Sequence, residues 1–169
     1  MNISISIRDA RHEDAASLVA AERETARMPG LLVSRPAELK LEAFEQKIAE
    51  LTKRGHYIVA ENERKIVGHA FLEPMPLEAV SHVFRLNIVV HPGFLGQGIG
   101  EALMKELMNW AKRTLHVGKI ELLVRASNQR AIRLYSKLGF VEEGRFKKRV
   151  RLPDGSFVDD IAMAWFPNR

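Results

Sequence analysis

The sequence predicts one domain over residues 1–169 of α/β (α+β) class, a mixed sheet of about seven strands with helices on its faces. Three observations predict it. Segments of alternating and of helical periodicity follow one another in the order β-α-α-β-β-β-α-β-α-β-β. Residues 81–90, 98–114 and 119–125 form a strand–helix–strand unit, which should cross over right-handed. The chain is 169 residues long, 46% apolar and 28% charged, enough for one sizeable core.

The elements follow in order. "ISISIR" (3–8) alternates like a half-buried strand. Over 12–27, Ala15, Leu18, Val19, Glu22 and Ala26 recur at helical spacing, and "MPGLLVSRP" interrupts the pattern. Pro36 suits a first helical turn, and Leu41, Phe44, Ile48 and Leu51 mark one face of a second helix. "HYIVAE" and "KIVGHAFLEP" flank Asn62-Glu63-Arg64 and read as a hairpin. "SHVFRLNIVV" (81–90) ends in an apolar run suited to a buried strand.

Ile99, Leu103, Leu107, Trp110 and Ala111 form a third helical stripe, closed by Gly118. "KIELLVR" (119–125) alternates as a strand. A fourth helix opens near Ser127 or Asn128, both good N-caps, and stops at Gly139, a good C′ residue. "FVEEGRFKKRVRL" and "SFVDDIAMAWF" flank the turn Pro153-Asp154-Gly155.

Composition excludes several classes. Cysteine is absent, so there are no disulfides, thiolate metal sites or cysteine nucleophile. The histidines show no ligand spacing, and no metal is expected. No apolar stretch approaches the ~20 residues of a membrane span, and "MNISISIRDARHED" does not read as a signal peptide. A cytoplasmic protein is expected. The net charge of +5 is concentrated after residue 100. A basic half suits a phosphorylated ligand or simply a solvated face. Without interleaved aromatics, nucleic acid is the weaker partner, and no membrane partner is expected.

"VVHPGFLGQGIGEAL" (89–103) crowds Gly93, Gly96, Gly98 and Gly100 between a strand and a helix. Glycine costs ~1 kcal/mol against alanine inside a helix, so the crowding needs a reason. A plain tight turn is one. The other is a cradle of free N–H groups at a helix N-terminus, where the dipole favours an anion. There is no Gly-Lys-Ser/Thr, and Gly96-Gln97-Gly98-Ile99-Gly100 is not G-x-G-x-x-G. The triphosphate and dinucleotide loops therefore both fail.

With "LNIVVHPGFLGQGIGEALM" and "VRASNQRAIRLYSKLGFVEEG" in this order, the chain resembles the GNAT N-acetyltransferases from "ISIRDARHEDAASL" to "DDIAMAWF". The ending "VEEGRFKKRVRLPDGSFVDDIAMA" is most similar to the small bacterial branch acting on amino acids and other small amines. The family's (Arg/Gln)-x-x-Gly-x-(Gly/Ala) falls on Leu95 to Gly100, with Leu95 where Arg or Gln is usual. The resemblance implies a mostly antiparallel twisted sheet with a parallel pair, strands 81–90 and 119–125, splayed apart with the help of a bulge in the first. It implies acetyl-CoA as acetyl donor, its pyrophosphate on the amides of Gly96, Gln97, Gly98, Ile99, Gly100 and Glu101. Gln97 stands in for the missing Leu95 contact. Ile88, Val89 and Val90 then pair with the pantetheine arm, and Asn128 binds it as well as capping a helix.

Acetyl transfer to an amine requires deprotonation of the ammonium, stabilisation of the oxyanion and protonation of the thiolate. Tyr135 occupies the family's general-acid position, and the Val90 N–H would polarise the carbonyl. Family members that modify ribosomal protein N-termini carry a glutamate where this chain has Leu123, so that base does not carry over. Glu73 is the best-placed carboxylate for the base, with His82 and a water chain as alternatives. Lys147, Lys148 and Arg149 read mostly as a solvated face. Asp159 and Asp160 either attract an amine or close salt bridges. The resulting expectation is acetyl transfer to a primary amine of a small molecule by direct attack in a ternary complex, with a homodimer compatible with it. The alternatives are protein N-terminal or lysine acetylation, or a non-catalytic acyl-CoA-binding module.

Overall fold

The computed structural model describes residues 4–168. In chain order the elements are β1 (Ser6–Asp9), α1 (Ala15–Ala26), α2 (Leu41–Arg54), β2 (His56–Asn62), β3 (Lys65–Pro74) and β4 (Val83–Val90). There follow α3 (Ile99–Arg113), β5 (Lys119–Arg125), α4 (Gln129–Lys137), β6 (Val141–Arg151) and β7 (Phe157–Trp165). The expected order is the observed one, and short 3-10 turns precede α1, α2 and β4.

The chain start differs in detail. Residue 3 of the expected first strand lies outside the described residues, and β1 begins at Ser6. The first helix begins at Ala15 rather than 12, because Asp14 is drawn elsewhere. Its carboxylate accepts the Arg11 N–H at 2.7 Å and both Arg8 terminal nitrogens at 2.8 and 2.9 Å. Arg8 also reaches Glu61 on β2 at 2.6 Å, so one guanidinium ties β1, the turn before α1 and β2 together.

The strands form one seven-stranded sheet in the order β1-β2-β3-β4-β5-β7-β6. Every neighbour is antiparallel except β4 and β5. The β2–β3 hairpin turns through Glu63 (φ 48°) and Arg64 (φ 65°), the left-handed pair that a two-residue turn of matching twist requires. The fold class is the one expected.

The sheet carries apolar cores on both faces. On one, α3 and α4 cover Phe84, Leu103, Leu107 and Ile120, all fully buried. On the other, α1 and α2 cover Leu18, Leu51 and Val59. Burying such a side chain contributes ~1.5–3 kcal/mol. The first core holds Phe84 of β4 and Ile120 of β5 together beneath the closed end of their seam.

β4 and β5 pair at only three positions, Val83↔Lys119, Phe84↔Ile120 and Arg85↔Glu121. Beyond them the strands diverge. The divergence uses no bulge in β4, whose register against β3 runs unbroken from Phe84 to Val90. The register shifts of the sheet lie instead in the β2–β3 and β6–β7 pairs.

Candidate active site

The open end of the β4–β5 seam is a cleft of about 810 Å³. Its walls come from β4 (Arg85 to Ile88), β5 (Leu122 to Arg125) and α4 (Tyr135). The segment 31–34 after α1 covers the other side. The cleft therefore passes through the sheet, from the α4 face to the α1 face.

Strand alternation decides what β4 shows it. The His91 N–H donates to Val67 at 2.9 Å, and the Val83 carbonyl accepts from Met75 at 2.9 Å. Odd positions of β4 thus bond to β3. The His82 carbonyl accepts from Gly118 at 2.8 Å, so even positions face β5. Past the three paired positions, the main-chain groups of Ile88 and Val90 have no strand to meet. Buried backbone groups need partners, and these wait for one. Of the expected trio Ile88, Val89 and Val90, the middle residue must be corrected. Val89 turns its N–H and C=O to β3 opposite His69.

The glycine loop stands where β4 leads into α3. Gly93, Gly96 and Gly98 have φ of 86°, 81° and 80°, a region open to glycine at little cost. Gly98 is the N-cap of α3 and supplies no side-chain cap. The first helical bond here runs from Ala102 to the Gly98 carbonyl, so the amides of Ile99, Gly100 and Glu101 point outward without helical acceptors. A Cβ on Gly100 would sit 3.6 Å from Val90, so the cradle adjoins the exposed edge of β4.

Two side chains revise the reading of this loop. Gln97 turns back and donates to the Gly93 carbonyl at 3.2 Å, stiffening the loop instead of reaching outward. Leu95 is 48% exposed. The cation absent there comes from α4, since a Cβ on Gly96 would collide with the Arg130 guanidinium. Glu101, at the same helix end, is held down to about 2 by hydrogen bonds from Lys105 and Lys137.

Asn128 caps α4, its Oδ1 accepting from Ala131 at 3.2 Å, and also lines the cleft. Tyr135 is 8% exposed, rests against Phe140 and lines the cleft from α4. Burial pushes its phenol up to about 12, with Arg125 acting the other way. The hydroxyl is therefore a proton carrier at neutral pH, and no protein partner holds it among the described residues. Arg125 itself pairs with buried Asp160 on β7.

Glu73 lines the opposite wall, but its Oε1 meets Lys47 at 2.7 Å and Arg54 at 3.6 Å. Two cations on one oxygen suit a wall brace better than a base for an approaching ammonium. His82 stands at the closed end of the seam, outside the cleft lining. Asp159 bonds Arg145 at 2.8 Å and the Lys148 N–H at 2.7 Å, so both aspartates close salt bridges. Lys147, Lys148 and Arg149 are exposed, as a solvated face would be, though Arg149 also borders the cleft and lies over Phe146. Leu123 is exposed on the β5 wall.

Nothing in the sequence pattern assigns a chemical role to three further residues, although it places Glu22 on the first helix's apolar stripe. Glu22 on α1, His69 on β3 and His91 after β4 meet in a buried chain behind the cleft wall. Their separations of 47 and 22 residues carry no local signal. No group of metal-ligating side chains and no helix able to cross a membrane occurs among the described residues.

Residues 17–140 match the family model described as the acetyltransferase (GNAT) family. The L-amino acid N-acetyltransferase AaaT of Escherichia coli is 36% identical over 107 residues. The match spans 63% of this chain and 65% of AaaT. A ribosomal-protein-alanine N-acetyltransferase structure from Brucella melitensis superposes with a TM-score of 0.86 at 27% identity, covering 95% of this chain and 99% of that one. The phosphinothricin acetyltransferase of Sinorhizobium meliloti, solved in complex with acetyl-CoA, gives 0.87 at 22% identity, over 99% and 90% of the two chains.

Proposed function

The chain belongs to the acetyltransferase (GNAT) family, and from that footing we propose that it moves an acetyl group from acetyl-CoA to a primary amine of a small molecule, an amino acid or a related amine. The observation that carries the reading is the pair of main-chain edges on Ile88 and Val90 beyond the last β4–β5 pair, Ile88 lining the cleft and Val90 beside the glycine loop with its free helix amides and Arg130.

Bound acetyl-CoA supplies an activated thioester carbonyl; this chain supplies everything around it. The amides of Gly96 through Glu101 and the Arg130 guanidinium hold the pyrophosphate, a charge-assisted set. Ile88 and Val90 extend the sheet onto the pantetheine arm, and Asn128 binds it beside its capping duty. The Val90 N–H points at the carbonyl oxygen and stabilises its developing charge. Tyr135 delivers a proton to the departing sulfur, a role its raised pKa equips it for at pH 7.

The likeness to AaaT favours a small acceptor over a protein terminus. The test is a panel of amino acids, polyamines and N-terminal peptides, with thiol release as readout. Turnover confined to free amines supports the reading; turnover confined to peptides replaces it with N-terminal acetylation. Acetyl-CoA binding with no turnover of any amine would leave only an acyl-CoA-binding module.

A further inference from the structure

The buried chain behind the cleft has a definite proton inventory. His91 Nδ1 lies 3.1 Å from the Ile66 carbonyl. A carbonyl oxygen only accepts, so Nδ1 carries the proton and donates it. Neutral His91 then offers its Nε2 lone pair to His69 Nδ1, 2.8 Å away, which must donate. Burial and the neighbouring His69 hold His91 down to about 3, so it stays neutral in this chain.

One link remains. His69 Nε2 stands 2.7 Å from Glu22 Oε1, and a single proton lies between them, whichever atom owns it. Three hydrogen bonds thus hold three protons, and the whole chain is electrically neutral. Removing one proton leaves two acceptors face to face. His69 is 1% exposed and His91 4%, so water does not repair such a loss.

Glu22 is the end that reaches the cleft. Its Oε1 belongs to the chain, while its second oxygen has no recorded partner among the described residues. No lysine or arginine pairs with it there, in contrast to Glu73. Tyr57 is the other ionisable group that senses it, and its ring packs on His69 at 6.0 Å. A carboxylate is costly to bury, and two imidazoles hold this one at the acceptor wall with an oxygen to spare.

We propose that Glu22 is the proton-accepting carboxylate for the amine acceptor, with His69 and His91 as positioning residues that fix its orientation. The inference rests on the acetyltransferase reading above. The free oxygen of Glu22 receives one proton from the ammonium, and the freed nitrogen lone pair attacks the thioester carbon. A C–N bond forms and the C–S bond breaks. The sulfur takes the Tyr135 proton, the second proton leaving nitrogen restores Tyr135, and Glu22 returns its proton to water.

The test is steady-state kinetics on the best amine of the panel, with melting temperatures measured with and without acetyl-CoA. In Glu22→Gln the side-chain amide still donates to His69, so the buried chain and the fold persist. Its acetyl-CoA KM and acetyl-CoA-induced melting shift should match the parent. Its kcat/KM for the amine should fall by about 100-fold, as for loss of a general base, with amine KM raised. Glu22→Asp, which keeps a carboxylate, should recover part of that loss. His69→Gln should fall in between without affecting acetyl-CoA KM.

A Glu22→Gln protein that turns over the amine within about threefold of the parent overturns the proposal. So does one in which acetyl-CoA and amine parameters worsen together, the mark of a structural brace. If Glu22→Gln does not fold, Glu22→Asp carries the test, and unchanged amine KM and kcat there overturn the proposal equally. Failure of the underlying reading looks different. Acetyl-CoA then shifts no melting temperature, the parent releases no thiol with any amine, and the Glu22 assignment falls with it.

Discussion

Tyr135 combines burial, a place on the cleft wall and a hydroxyl with no protein partner among the described residues. Tyr135→Phe keeps the ring against Phe140 and removes only the proton donor. Turnover should drop by tens of fold, roughly 10–100, with acetyl-CoA affinity and melting temperature close to the parent. Unchanged kcat under conditions where chemistry limits the rate would take Tyr135 out of the mechanism. His91 makes a separate prediction about acid. Its folded pKa of about 3 lies below the usual value of 6.5, so the unfolded chain binds the extra proton first. Stability from this group is complete above the unfolded value and is lost as pH falls from there towards 3. The slope in that window approaches about 1.4 kcal/mol per pH unit. His91→Gln should flatten it in melting curves between pH 7 and 4. Tyr135, Asn128 and the glycines are readable in the chain because each sits inside a short motif. Glu22, His69 and Arg130 are not, because their meaning comes from contacts between elements far apart in sequence.

The loop between β4 and α3 shows how an element end becomes a binding surface. Gly98 has φ 80° with open space around its missing Cβ. Gly98→Val would therefore meet no collision but would strain the backbone out of the left-handed region. It should weaken acetyl-CoA by more than about 1 kcal/mol, read by titration calorimetry. Leu95→Arg offers the opposite change. The side chain is exposed, and a second cation beside Arg130 should leave acetyl-CoA affinity equal or tighter. A marked loss would mean that the loop does not hold the pyrophosphate in the proposed register. The hairpin at Glu63 and Arg64 and the order of the elements along the chain are legible from periodicity and turn residues. The register shifts of β6 are not, for the sequence there reads as a continuous strand while Lys148 adopts φ 53°. Nor is the manner of splaying, since three pairs and a divergence leave no mark on residue type.

The molecule as a whole is one sheet with a weak line through it. Among the described residues, the three pairs at the closed end of the β4–β5 seam are the only ladder between β1–β2–β3–β4 and β5–β7–β6. Acetyl-CoA lying along the open end pairs with β4 and binds Asn128 beyond β5 in the proposed function, so the melting temperature should rise with its concentration as mass action requires. Amide hydrogen exchange resolves this strand by strand. The Ile88 and Val90 amides should exchange fast in the free protein and slow with acetyl-CoA, while Val89, already bonded to β3, should stay protected throughout. Equal protection of all three in the free protein would contradict the alternation on which the site is built.

A seam of three pairs also has a mechanical meaning. Pulled apart across the sheet, the two half-sheets resist through few hydrogen bonds at one end and none along the rest. The core that joins Phe84 of β4 to Ile120 of β5 spans the line, so in the free protein the open end should loosen first, ahead of that core. A molecule seated in the seam bridges both half-sheets and makes open end and core yield together. In a force experiment the substrate is then a rivet: unfolding steps that occur separately without it should merge into one, at higher force, when it is present.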